Sequence, residues 1–556
     1  MSSWNTVAAD GFALHFGYPD EDAFSAGVEK LVADGVASGI AGRDASLWGS
    51  DAADEAGKRL AWVGLAQESR ALVDEIIGLR DVLADRGSFH VVLCGMGGSS
   101  LAPEVICATH GVELTVLDSS DPDYVRRAVS NRLDHSIVVV SSKSGGTVET
   151  DSQKRAYEQA FRDADLEPAA HIIVVTDPGS PLDQSATEAG YRVFHADPDV
   201  GGRYSALTAF GLVPSGLAGA DIGRLLDEAE AIAPHLERDD ADNPGLRLGG
   251  LLGLANTTGV DKVVLGDKDS GIPGFGDWAE QLIAESTGKN DKGILPVVVP
   301  SLDAANFSPS TPDEVLVTIG PGVHTDAPPA SGWGVAVDAP LGAQMLLWEY
   351  ATVVAGRIIG INPFDQPDVE SAKQAARDML EGGGEFPSPA FTDGPVEVYA
   401  TDGLLSDETT VGEAVQTLLG EIDDTSGYLA VMAYLDRARQ GHLAHVRDHL
   451  AARTGRPTTF GWGPRFLHST GQYHKGGPAI GVYLQVTAEP LEDLEIPGRP
   501  FTFGTFIGAQ AIGDAAVLAD HGRPVLRLHL TDQKAGFQVL HEVLGQGRTS
   551  RVRTTE

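Results

Sequence analysis

An α/β architecture of doubly wound parallel sheets is what this 556-residue chain predicts, and three observations carry that reading. From His90 onward, short apolar runs rich in β-branched residues (HVVLCG, LTVLDS, SIVVVSS, HIIVVTD, YRVFHAD) alternate with helix-like stretches, which is how strands buried on both faces read. The same alternation recurs twice further along the chain, so one unit of strands and helices is used repeatedly. Finally, the length exceeds a single core, and 42% hydrophobic residues is ordinary for a packed globular protein. The predicted divisions are a helical N-terminal region over 1–87, a first α/β domain over 88–235, a second over 236–390, and a C-terminal α/β unit over 391–556.

Charge and composition narrow the function classes. Asp and Glu outnumber Lys and Arg by 79 to 40, a formal net charge of −39. That field repels nucleic acid and anionic membrane surfaces, so neither is expected as a partner. A phosphorylated ligand would have to be captured by local cations and backbone dipoles. The two cysteines, Cys94 and Cys107, make no disulfide framework and read as buried thiols. The start, MSSWNTVAADGF, has no basic stretch leading into an apolar one, and so does not read as a signal peptide. Leu341 to Ile361 is interrupted by Glu349 and Arg357, which argues against a membrane span. A cytoplasmic protein is the simplest expectation.

Taken in order, Lys58 to Asp85 spaces its apolar residues as an amphipathic helix. Strand HVVLC then leads into Gly95-Met96-Gly97-Gly98-Ser99-Ser100, which lacks the third glycine of a dinucleotide fingerprint; Asp118 ending the next strand keeps a nucleotide-binding enzyme as a weak alternative. After SIVVV comes Ser141-Ser142-Lys143-Ser144-Gly145-Gly146-Thr147, with four hydroxyls and an ammonium around a Gly pair at the start of a helix. Such a loop suits a phosphate monoester, and a plain capped turn is the competing reading. Gly201-Gly202-Arg203-Tyr204-Ser205 places an Arg at a strand end. In the second domain a helix carries Gln281 and Glu285 on one face, with Glu285 in its last turn. Pro367 opens a helix in which Glu370 and Lys373 read as an exposed ion pair. In the C-terminal unit His442, His445 and His449 are expected to share a helix face at spacings of three and four, but no Cys or acid joins them, so no metal is expected. The segment Arg465 to Gly477 is denser in functional groups than a plain loop requires. The tail 547–556 reads as disordered.

Together, GMGGSSLAP, SSKSGGTVET, GGRYS, QLIAESTGK, NPFDQPDVESAK and HSTGQ resemble the motifs of the phosphoglucose isomerase family, whose fold pairs two sugar-isomerase (SIS) domains. The chain is more similar still to the isomerase portion of bacterial transaldolase/phosphoglucose isomerase fusions, without a transaldolase half. The resemblance implies reversible isomerisation of glucose 6-phosphate and fructose 6-phosphate through a cis-enediolate, in glycolysis and gluconeogenesis, with no cofactor. It implies phosphate binding by Ser142, Lys143, Ser144 and Thr147, with Gly98 and Ser99 facing the sugar. Glu285 is implied as the base moving a proton between C2 and C1, and Arg203 as the cation beside the enediolate. Gln281 and Gln366 are implied to line the site, and His468 and Lys373 to open the sugar ring. A homodimer and a functional link to a transaldolase are implied as well. Two departures from the family stand out. Gly145 and Gly146 replace bulkier residues, and the histidine segment follows Lys373 rather than lying between Glu285 and Lys373. His468 is preferred on its motif over His324 and His474. A regulatory sugar-phosphate-binding SIS protein, and an isomerase that also accepts mannose 6-phosphate, are the alternatives.

Overall fold

A computed structural model describes residues 4–324, 329–382 and 387–545. The 547–556 tail and the side chain of Glu370, in the expected Glu370–Lys373 pair, lie outside what is described. The N-terminal region opens with a hairpin rather than a helix: β1 (Asn5–Ala9) and β2 (Phe12–Gly17), joined by Asp10-Gly11. This corrects the expectation of an all-helical 1–87. The physical signal was local: Asp-Gly suits a two-residue turn, Gly11 takes φ +92°, and Phe12, Leu14 and Phe16 alternate inward. Helices follow, including Glu21–Ala33 and Ala71–Asp85. The continuous helix expected from Lys58 is broken instead into short turns over Ala61–Gly64 and Leu65–Glu68. Trp62 is fully buried there and stacks on Tyr204 with ring centroids 5.5 Å apart, and Ala61, Val63, Leu65 and Ala66 are buried around it.

The doubly wound α/β class holds. Strands β3 (His90–Gly95), β4 (Thr115–Leu117), β5 (Ser136–Ser141), β6 (Ile172–Thr176) and β7 (Arg192–His195) form one wholly parallel sheet in the order β4-β3-β5-β6-β7. Strand order reverses between β3 and β5. At such a reversal the chain leaves adjacent strands in opposite directions and opens a crevice beyond their carboxyl ends. The two loops singled out in the sequence, after β3 and after β5, flank it.

A second sheet comprises the parallel strands β8 (Lys262–Asp267), β9 (Leu295–Val298), β10 (Glu314–Ile319) and β11 (Gly334–Asp338), extended by the hairpin pairing antiparallel to β11. The third, in the order β12-β13-β17-β16-β14-β15, uses β12 (Phe391–Asp393), β13 (Val396–Ala400), β14 (Tyr428–Tyr434), β15 (Thr458–Trp462), β16 (Gly481–Ala488) and β17 (Val525–Leu530). The histidines at 442, 445 and 449 do not share one helix, because Gly441–His445 is a 3₁₀ turn ahead of the Val446–Thr454 helix.

The third unit is fused to the other two rather than appended. One face of its sheet has a core of its own, around Leu429, Leu484 and Leu526. The other face shares a core with the second sheet, where Tyr428, Tyr473 and Tyr483 meet Val264, Leu295 and Val297. Phe503 and Phe506 enter the core of the first sheet beside Val92 and Tyr157. Ion pairs at least partly buried reinforce the junction: Arg465 lies 2.6 Å from Glu104 and 3.0 Å from Asp118, and Arg127 grips Asp436 with both terminal nitrogens. This fusion brings the HSTGQ segment against the first two units.

Candidate active site

The loop after β5 is held open by its own hydroxyls. Ser142 Oγ accepts from the Gly145 N–H at 3.2 Å and donates to Thr147 Oγ1 at 3.3 Å, while Ser144 Oγ accepts from the Gly146 N–H at 3.2 Å. Thr147 begins the Val148–Asp163 helix without capping it by its side chain, so the first-turn N–H groups point, uncapped, at the mouth of the loop. Gly145 has φ +77°, and a Cβ on it would lie 2.6 Å from Leu182 Cβ. A bulkier residue here would meet Leu182 and strain the backbone. Ser144, Gly146 and Thr147 line a cleft of about 250 Å3 together with Glu149, Lys373 and His468. Lys143 points elsewhere: its ammonium is 2.7 Å from the Asp177 carboxylate and 3.0 Å from the Pro198 carbonyl. Any part it plays at the loop therefore falls to its backbone N–H.

Glu285, Arg203 and their neighbours form the second part. The Phe275–Thr287 helix buries Gln281 and Glu285 one turn apart, and the Gln281 amide donates both to Glu285 Oε2 (3.1 Å) and to the His468 carbonyl (2.8 Å). Arg203 is buried and makes four hydrogen bonds. Its Nε donates to Ser286 Oγ at 2.8 Å, Nη1 to Gln366 Oε1 at 2.9 Å, and Nη2 to the carbonyls of Pro363 and Asp365 at 2.7 and 3.0 Å. Its Nη1 stands 4.0 Å from Glu285 Oε2, close enough for charge attraction and too far for a hydrogen bond. The 3₁₀ turn Gly97–Ser99 carries Gly98 and Ser99 against this cluster. A Cβ on Gly98 would lie 2.0 Å from the Gly202 carbonyl, so only glycine lets the loop after β3 approach the Arg203 turn. Lys289 is 1% exposed and ties down the 362–365 segment through Asn362 O (2.8 Å) and Asp365 Oδ1 (2.8 Å).

The histidine question has a geometric answer in placement. His468 Nε2 lies 3.0 Å from Glu149 Oε1, in the cleft that Lys373 also lines. Glu149 is buried, and its other partner is the Gln510 amide at 2.8 Å. Burial works against the charge on Glu149, but the neighbouring His468, their hydrogen bond and the charge of Lys373 together hold its pKa below the usual carboxylate value. His324 stands apart, edge-on to Phe307 and outside this cleft. His474 is buried 3.0 Å from the Tyr428 hydroxyl. Sequence reading missed Glu149, although it lies within the SSKSGGTVET motif; only the fold shows a carboxylate facing a histidine from another unit. Gln472 completes the junction, its amide reaching Asp368 Oδ2 (2.7 Å) and the Gly288 carbonyl (2.8 Å).

His474 also yields a stability prediction. Burial, with Lys475 and Arg523 adding positive charge nearby, brings its pKa down to about 3 from an ordinary 6.5. The unfolded chain therefore binds more protons than the folded one between those values. The stability contributed by neutral His474 is complete above pH 6.5 and is lost as pH falls. Urea denaturation should show about 2 kcal/mol less stability at pH 5 than at pH 7 from this residue, a slope reduced by that amount in His474→Gln.

A family model described as "Phosphoglucose isomerase" matches residues 81–293. The chain is 26% identical over 348 residues to a probable glucose-6-phosphate isomerase of Methanococcus maripaludis, covering 53% of this chain and 79% of that protein. It is 30% identical to the glucose-6-phosphate isomerase of Acaryochloris marina, covering 52% of this chain and 65% of the relative's length. Among solved structures, a hypothetical protein from Thermus thermophilus matches with TM-score 0.57 at 24% identity, over 66% of this chain and 99% of the other. A glucose-6-phosphate isomerase from Chlamydia trachomatis matches with TM-score 0.54 at 20% identity, over 69% and 91%. The two structures show a shared fold.

Proposed function

We propose that the chain, whose residues 81–293 match the phosphoglucose isomerase family model, interconverts glucose 6-phosphate and fructose 6-phosphate. The observation that carries the proposal is the convergence of three units on one site, where the Gln281 amide bridges Glu285 and the backbone of His468. In this reading the 6-phosphate rests on the hydroxyls and N–H groups of Ser142, Ser144 and Thr147 at the helix start, anchoring the sugar far from its reacting carbons. Lys143 contributes its backbone N–H. His468, polarised by Glu149, and Lys373 move the proton between O5 and O1 that opens the ring. Glu285 then takes the proton from C2 and returns it to C1 on the same face, so one carboxylate serves both carbons. The enediolate oxygens develop negative charge as this happens. Arg203, locked by four acceptors and unable to lose its proton, offers them a fixed positive charge without reorganising. None of these steps calls on a group the chain does not supply.

A sugar-phosphate sensor would need the hydroxyl loop but not Glu285 and Arg203 buried 4.0 Å apart beside it, which favours the enzyme. The test is conversion of fructose 6-phosphate, coupled to oxidation of the glucose 6-phosphate formed; tight binding without turnover would return the sensor reading. The homodimer, the transaldolase link and the cytoplasmic setting are proposed on the family resemblance. Because His468 reaches the cleft from within the same chain, a dimer is not needed to supply that histidine. Among the described residues no helix is long and apolar enough to cross a membrane.

A further inference from the structure

A cavity of about 310 Å3 lies in the third unit, between its sheet and the Phe503–Asp520 helix. It opens beyond the carboxyl ends of β14 and β16, being lined by Tyr434 at the end of one and Thr487 and Ala488 at the end of the other. These are the strands at which the parallel order reverses, since β15 pairs on one side of β14 and β16 on the other. Crevices of that kind are where open α/β sheets take ligands. The cleft described above has a different lining, although the same helix walls both: Phe506 and Gln510 face the cleft, Thr505 and Ile512 the cavity.

Sheet register sets the chemistry of this cavity. Tyr399, Arg527 and Gln485 form one cross-strand row, and Glu397, His529 and Thr487 the next. Arg527 is only 7% exposed, and its guanidinium stacks on the Tyr399 ring at 3.9 Å. None of its N–H groups reaches an acceptor among the described residues, although the side chain lines the cavity. The fork is therefore presented to the cavity, and a planar donor group of this kind matches a carboxylate or phosphate. Other lining groups narrow the choice. Glu397, Glu489 and Asp493 also border the space, and they would repel a dianion while accepting hydrogen bonds from hydroxyls. Glu397 already takes the Tyr399 hydroxyl at 2.7 Å, and Asp493 the Gly504 N–H at 2.8 Å, so both carboxylates are held in place.

We propose that this cavity is a second small-molecule site, taking a singly charged hydroxylated carboxylic acid with its carboxylate on Arg527 and its hydroxyls on the surrounding carboxylates. The proposal does not depend on the isomerase reading. The experiment is calorimetric titration of D-gluconate into the full chain and into Arg527→Met, Thr505→Phe and Lys373→Ala, with D-ribose 5-phosphate as the dianionic comparison. Arg527→Met removes the fork, and Thr505→Phe fills the mouth of the cavity from an exposed position that the fold tolerates. Gluconate should bind the parent chain, at least tenfold more weakly in both cavity variants, and unchanged in Lys373→Ala. Absence of gluconate binding, binding that survives both cavity variants, loss in Lys373→Ala, or stronger Arg527-dependent binding of ribose 5-phosphate would each overturn the proposal.

Discussion

Glu285→Gln should lower kcat on fructose 6-phosphate by about 10³-fold and abolish exchange of the C2 proton with solvent, while the sugar phosphate still binds. The magnitude is that of losing a positioned general base. The substitution is nearly isosteric, and the site tolerates it for a structural reason. Glu285 meets Arg203 only at 4.0 Å, whereas Arg203 is held independently by Ser286, Gln366 and two backbone carbonyls. The Gln281 amide can donate to the new amide oxygen as it does to the carboxylate. A large loss of rate with little change in melting temperature is therefore expected. Proton exchange followed by NMR in deuterated water gives the direct reading, and undiminished exchange would remove Glu285 from its role.

The second large effect is expected at the other end of the sugar. His468→Ala should cost about 10²-fold in kcat on the cyclic substrate, and Glu149→Gln about tenfold, because the amide keeps the contact but not the charge that orients and polarises the imidazole. His324→Ala should leave the rate within about twofold, since His324 lies against Phe307 outside the cleft. Steady-state kinetics on the three variants decides the matter: full activity in His468→Ala, or a large loss in His324→Ala, would transfer ring opening to another residue.

Much of the first two sheets was legible because their signals are local. Parallel strands buried on both faces must be apolar and β-branched along their length, and SIVVV or HIIVV can hardly be read otherwise. The hydroxyl loop was legible for a similar reason, as its small residues and Gly pair sit directly between a strand and a helix. The hairpin at residues 5–17 was equally local, yet its Asp-Gly turn is easily passed over beside the helical patterning that follows. Lys143 shows the limit of motif reading: its place in the loop is evident, but Asp177 and the Pro198 carbonyl, from later parts of the chain, decide where its ammonium goes.

By itself the sequence determined which segments become strands, which loops stand at their carboxyl ends, and which residue types gather there, because propensity and periodicity act over a few neighbours. Only the tertiary structure decided that His468 rather than His324 or His474 faces the cleft, that Glu149 is its partner, and that Gln281 joins both halves of the site. These contacts link residues 187 and 319 positions apart, and they exist because the third unit buries apolar faces against both other sheets. Packing over that distance leaves no periodic trace in the chain, so the partner of a buried charge is set by the fold and not by its neighbours in sequence.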